Sequence, residues 1–283
     1  MCTVVIARPF AFLAGIFLLA VSSACSRVDA GDTPQAVQRL IITGSSTIAP
    51  LMTELAAQYE KSHPLVRIDV QSGGSGRGIA DVRQGVADFG MVSRALRAEE
   101  NDLLHWPIAR DGVAMIAHRT NLVTALSSDQ VRAIYTGKIK NWAQLGGVSD
   151  SITVVHKASG RATLEVFLEY FDLRNPEVMA DIIAGENEQA IKTVMADARA
   201  LAYVSIGTAE ADIQNGVAIQ LLKLDGIDAT TATVADGTYP MARPLQLVAL
   251  QAPQGVAAEF LAYLRSAFVA DLIRAQSFTP LLP

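Results

Sequence analysis

Downstream of an apolar N-terminal run, the spacing of apolar side chains switches repeatedly between the two-residue period of a strand and the longer period of a helix. Arg39 to Ile42 reads as the start of a buried strand leading into TGSSTIAP (Thr43 to Pro50). Leu51, Leu55, Ala56 and Tyr59 then follow at helical spacing until Ser62-His63-Pro64. Val66, Ile68 and Val70 alternate with Arg67 and Asp69 as a strand, SGGSGRG (Ser72 to Gly78) follows, and Ile79, Val82 and Val86 return to helical spacing. Phe89 to Val92 predicts a short strand ending at Ser93-Arg94, and LRAEENDLL a charged helix. GVAMIA (Gly112 to Ala117) has the continuous apolar character of a strand buried on both faces of a parallel sheet.

Farther on, Ser127 and Gln130 form a capping-box pattern for a helix that runs to Tyr135 and stops at Gly137. Ile152 to Val155 predicts a strand and HKASGRAT (His156 to Thr163) a loop. Leu164, Phe167, Leu168 and Phe171 give the next helical stripe. A helix near Gln189 to Met195, strands at Ala202 to Ser205 and Leu245 to Leu250, and one long helix from Gln254 to about Ala275 complete the pattern. Tyr135 and Trp142 are expected to pack in the core. This order predicts an α/β fold with mostly parallel sheets and helices on both faces. No long linker divides the chain after residue 39, so two lobes sharing crossing segments are expected: lobe I from 39–116 plus 241–283, lobe II from 117–240.

The N-terminal run, Phe10 to Val21, is twelve residues long, preceded by Arg8 and followed by Ser22-Ser23-Ala24. A bilayer span needs about 20 apolar residues, so residues 1–24 read as an export signal. Cys25 stands where a bacterial lipoprotein would be lipidated, although Ser22 replaces the usual aliphatic residue; plain cleavage there or after Ala30 is the alternative. Residues 25–38 read as a tether. Loss of the signal removes Cys2, so no disulfide framework is expected, and the four dispersed histidines offer no zinc spacing. The full chain carries 23 basic and 28 acidic residues with no basic run, which argues against nucleic acid as a partner.

Three loops, Gly44 to Thr47, Gly74 to Gly78 and Ser159 to Thr163, bring glycines and hydroxyls to predicted helix N-termini, where unpaired amides and the helix dipole favour anions. The same composition also serves ordinary helix capping. Arg77, Arg94 and Arg161 stand beside these loops as candidate charged partners, each of which could equally be a solvated surface charge. Competing motifs fail: Ile79-Ala80 occupies the P-loop Lys-Ser/Thr positions, the glycines miss the dinucleotide spacing, and neither Ser46 nor Ser75 sits in a nucleophile elbow. A serine hydrolase using His118 or His156 is the enzyme alternative.

The ordered set GSSTIAPL, GGSGRGIADVRQGVADFGMVSR, AIYTGKIKNWAQLGG, KASGRATLEVF and ALAYVSIGTA resembles the PstS-like phosphate-binding proteins of ABC importers, within the type II periplasmic-binding-protein superfamily. The resemblance implies two α/β lobes joined by crossing strands and closing on a tetrahedral oxyanion. Carried over residue by residue, it implies donors from Ser46, Thr47, the Ile48 amide, Ser75, Ser93, Ser159 and the Gly160 amide, with Arg161 as charged partner. Gly76 and Arg94 complete the candidate set. The chain is accordingly expected to be a non-enzymatic, monomeric periplasmic protein without cofactor or metal, lipid-anchored through Cys25 and read by an inner-membrane ABC permease.

Two positions depart from the family pattern. Ser93-Arg94 stands where many members carry an acidic residue, and Ser159-Gly160 runs directly into Arg161. Phosphate is the expected ligand, with sulfate, molybdate and tungstate open. The other reading within this fold is an oxyanion sensor or surface protein without a transporter.

Overall fold

The computed structural model describes residues 36–281; the export signal, Cys25 and residues 25–35 of the tether lie outside the described residues. Leu40 and Ile42 are buried on β1 (Gln38–Gly44), which lies between two parallel partners, β2 (Val66–Ser72) and β3 (Phe89–Val92). The helices between them are α1 (Ala49–Ser62) and α2 (Ser75–Arg83). Pro50 lies in the first turn of α1, where its missing N–H costs nothing, and Leu51, Met52, Leu55 and Tyr59 form the buried stripe.

LRAEENDLL is not a helix beyond one 3₁₀ turn, Ala98–Glu100. The Glu100 carboxylate accepts from the Arg97 amide at 2.9 Å and closes that turn, and the stretch has too few apolar side chains to bury a longer helical face. The chain then enters β4 (Leu104–His118), the longest strand.

The second half of the chain contains β5 (Ala125–Leu126), α3 (Ser128–Tyr135), β6 (Thr153–Lys157), α4 (Ala162–Tyr170), β7 (Ile182–Ala184), α5 (Asn187–Ala196), β8 (Ala200–Ser205) and α6 (Ile206–Gln214). After these come β9 (Ile219–Leu221), β10 (Lys223–Leu224), α7 (Thr231–Ala235), β11 (Ala242–Ala249), α8 (Val256–Leu264), α9 (Val269–Ala275) and β12 (Thr279–Pro280). The main path of the sheet runs β2-β1-β3-β11-β4-β8-β6-β7.

The Gly112–Ala117 run is buried as its composition requires, but its partners β8, β9 and β11 are antiparallel to it. An apolar run reports burial of both faces and carries no information about strand direction. Parallel ladders flank this centre, β2-β1-β3 on one side and β8-β6-β7 on the other. Two core regions follow: Leu40, Leu51, Phe89 and Phe260 on the first side, and Tyr135, Trp142, Phe167 and Tyr203 on the second. β4 runs through both, with β11 paired along its first part, and these strands join the two lobes.

The single long helix expected from Gln254 to Ala275 is two helices. Arg265 ends α8, and the Ser266 hydroxyl donates to the Tyr263 carbonyl at 2.7 Å, a local bond that competes with helix continuation. Among the described residues, no helix is long and apolar enough to cross a membrane.

Candidate functional site

Loops that follow parallel strands emerge at the carboxyl edge of a sheet, and each lobe of this protein turns that edge toward the other. The first lobe contributes the loops after β1, β2 and β3; the second contributes those after β6 and β7. The helices α1, α2, α4 and α5 therefore begin at one place, and their unpaired amides and dipoles make it electropositive before any side chain is counted.

Gly44 ends β1 with φ +130°, and a Cβ there would lie 2.4 Å from the Met91 carbonyl oxygen, so only glycine allows this approach. The turn lets the Ser45 amide donate to that same carbonyl at 2.9 Å and sets Ser45 Oγ beneath the start of α1. Ser45 Oγ accepts from the amides of Thr47 and Ile48 at 3.2 and 3.4 Å, and its own proton goes to Ser93 Oγ at 2.8 Å. The Ser93 amide donates to Ser75 Oγ at 3.0 Å, and the Ser75 and Ser93 hydroxyls are 3.5 Å apart. Three buried hydroxyls from three loops thus form one connected group.

Cations come from the crossing strands and the second lobe. Lys157, buried at the end of β6, donates to the Glu186 carbonyl at 2.8 Å and to Asn187 Oδ1 at 3.3 Å. Burial pushes its ammonium down to about 7, opposed by the nearby Glu186 carboxylate and reinforced by the Arg243 and Arg161 charges. Arg161 Nη1 donates to Glu186 Oε1 at 2.6 Å. Arg243 on β11 pairs with Asp111 on β4 and donates to Thr47 Oγ1 at 3.3 Å; its Nη1 is buried without a partner among the described residues. Asn187 Nδ2 also donates to Thr47 Oγ1, at 3.3 Å. With both acceptor positions of that hydroxyl taken, its proton is left to donate.

These groups surround one small cavity between the lobes. Ser45, Ser46, Thr47, Gly74, Ser75 and Ser93 line it from the first lobe, and Lys157, Arg161, Ala162, Thr163, Gly185 and Asn187 from the second. No lining residue is acidic. The chemistry suits a small, multiply charged acceptor: hydroxyl and ammonium donors, helix N-termini, and the Arg161 guanidinium, whose carboxylate partner Glu186 is not among the lining residues. A larger hollow outside α5, beside Lys192 and Ala196, has no such convergence of donors.

Among the sequence candidates, Ser46, Thr47, Ser75, Ser93 and Arg161 reach the cavity. Ile48 has its side chain in the core and its amide on Ser45. The Gly76 amide donates across the lobes to the Gly160 carbonyl at 3.3 Å; Ser159 and Gly160 are exposed and do not line the cavity, where Thr163 stands instead. Arg94 is held by Glu100 and Glu165 away from the cavity, and Arg77 is exposed beside Asp81. Ser45, Lys157, Thr163 and Asn187 were missing from the candidate set. The first three lie inside or beside the quoted loops, whereas Asn187 has no sequence motif.

The histidines proposed for a hydrolase do not serve the serines. His156 contacts Asn175 Oδ1 and the Tyr203 hydroxyl, each at 2.9 Å, and His118 contacts Thr120. Tyr135 and Trp142 are buried in the core. Among the described residues, no group of three or more His, Cys, Asp or Glu side chains could hold a metal ion.

A family model described as a PBP superfamily domain matches residues 30–267. The phosphate-binding protein PstS of Bacillus subtilis (strain 168) is 31% identical over 235 residues, 80% of this chain and 75% of that protein. A crystal structure with bound phosphate from Clostridium perfringens, of a protein described as a phosphate ABC transporter substrate-binding protein, is 29% identical, with TM-score 0.80. It covers 86% of this chain and 100% of that one. An ABC-type phosphate transport receptor from Vibrio cholerae is 28% identical, with TM-score 0.70 and the same coverage.

Proposed function

We propose, because this chain belongs to the PBP superfamily and within it to the PstS family of phosphate-binding proteins, that it captures inorganic phosphate outside the cytoplasm for an ABC importer. The family consists of substrate-binding proteins for transport rather than enzymes, so no bond is made or broken. One observation carries the reading: a small cavity between two lobes in which hydroxyls, helix N-termini and the cations Lys157 and Arg161 converge and which no carboxylate lines.

In this reading the hydroxyls of Ser46, Thr47, Ser75, Ser93 and Thr163 donate to the anion from both lobes. Lys157 and Arg161 supply charge, and the Ile48, Gly76 and Gly160 amides lie in the supporting turns. The lobes are 39–116 with 241–283 and 117–240, hinged on β4 and β11. Closure excludes water and strengthens each charge-assisted bond, and a permease recognises the closed form. A lipid on Cys25 would hold the monomer at the membrane.

The acid-free lining also favours a second ligand class. A fully ionised oxyanion such as sulfate or molybdate meets no carboxylate to repel it, so selectivity for phosphate would have to come from hydroxyl acceptors. Calorimetric titration with phosphate, sulfate and molybdate at two pH values straddling phosphate's second ionisation separates these. Tight phosphate binding with sulfate excluded supports phosphate import. Preference for sulfate or molybdate moves the function to another oxyanion, and absence of binding by all three overturns the reading.

A further inference from the structure

Arg94 directly follows the cavity residue Ser93, yet its guanidinium is occupied by carboxylates from both lobes. Its Nη1 and Nη2 meet Glu100 Oε2 and Oε1 at 2.7 Å each, a two-pronged pair between side chains only 6% and 7% exposed. Glu100 also accepts from the Arg97 amide at 2.9 Å, and the Arg94 carbonyl accepts from Gln246 Nε2 at 2.7 Å. All of these partners lie on the first lobe or on the crossing strand β11. The first lobe therefore orients Arg94 whether or not the second lobe is near.

The remaining nitrogen, Arg94 Nε, contacts Glu165 of the second lobe, and Arg97 Nη2 stands 3.2 Å from the same carboxylate oxygen. Glu165 lies in the first turn of α4, two residues after Thr163 and four after Arg161, both of which line the cavity. The helix that brings second-lobe donors to the anion site thus also brings Glu165 to the first lobe.

We infer that Arg94 and Glu165 form a closure latch: Arg94, held in place by Glu100, engages Glu165 only when the lobes meet, and so sets how long the anion is retained without touching it. This rests on the reading that the lobes close around an oxyanion. Glu100 already matches most of the Arg94 charge, and half-exposed Arg97 is the cation that balances the second carboxylate. The latch is consequently a modest bias that a permease can reverse. Without the arginine, Glu100 and Glu165 would face each other as like charges and favour the open form.

The test compares the wild-type chain with Glu165→Gln and Glu165→Lys, changes that leave every cavity-lining residue in place. Stopped-flow release of phosphate is expected to be roughly tenfold faster in Glu165→Gln, and faster still in Glu165→Lys, with association little changed. Small-angle scattering of the anion-free proteins should show the mean shape opening in the same order. Unchanged release in both variants, or weaker binding caused by slower association alone, would overturn the latch. A wild-type protein that binds no phosphate would instead count against the proposed function. The scattering series would then judge the latch, and superimposable curves would reject it.

Discussion

Arg243 and Asp111 stand opposite one another on β11 and β4, guanidinium to carboxylate at 2.7 Å, with each side chain 1% exposed. Asp111 also accepts from the Gly207 amide of α6 at 3.2 Å, and Arg243 donates to Thr47. One ion pair thereby ties the crossing strands to a second-lobe helix and to a first-lobe loop. Removing one partner strands a buried charge, so Asp111→Asn and Arg243→Met should each lose about 3–5 kcal/mol of stability. The double variant should lose clearly less than the sum, because no ion is left alone. Urea denaturation of the three variants checks this; strict additivity would show that the two charges are not coupled.

Lys157 makes stability and anion binding depend on pH in opposite directions. Its folded value of about 7 lies below its ordinary 10.5, so between those values the unfolded chain binds more protons and stability rises with pH. Lys157→Met should lack that rise. An anion in the cavity favours the ammonium, so binding at about pH 8 should take up a proton and weaken as pH increases. Calorimetry in two buffers of different ionisation enthalpy measures the uptake, which should diminish in Lys157→Met.

Gly44 and Gly78 allow α2 to lie directly on the ends of β1 and β3. A Cβ on Gly78 would approach the Thr43 carbonyl oxygen to 2.8 Å and the Gly44 Cα to 3.0 Å. Gly78→Ala should cost about 1–3 kcal/mol by overpacking. Because α2 carries Ser75 into the cavity, anion affinity should fall as well. Thermal melting with and without phosphate reads both effects.

Ser45 acts as an organiser of the site more than as a donor to the anion, since both its acceptor positions and its proton are already engaged within the protein. Ser45→Ala should cost about 1 kcal/mol by leaving the amides at the start of α1 unsatisfied. Ser45→Thr, which keeps the hydroxyl, should recover most of that loss in the same denaturation measurement.

Much of the site could be read from local pattern. The strand, glycine-serine loop and helix unit located the loops that hold Thr47, Ser75 and Ser93, since each loop is short and set by neighbours a few residues away. The basic residues were less legible. Arg94 and Lys157 each adjoin a candidate loop, but Arg94 is drawn to Glu100 and Glu165, while Lys157 faces Asn187. No motif marks Asn187, and strand direction at Gly112–Ala117 was not encoded in its apolar side chains.

The sequence by itself determined the alternation of strands and helices, the buried character of the crossing segment and the donor-rich loops, because periodicity and turn chemistry act over a few residues. Only the tertiary structure decided which of those donors meet. Thr47, Ser93, Lys157, Asn187 and Arg243 become neighbours through strand pairing across the whole chain, and burial there sets which charges are paired and how readily Lys157 holds its proton.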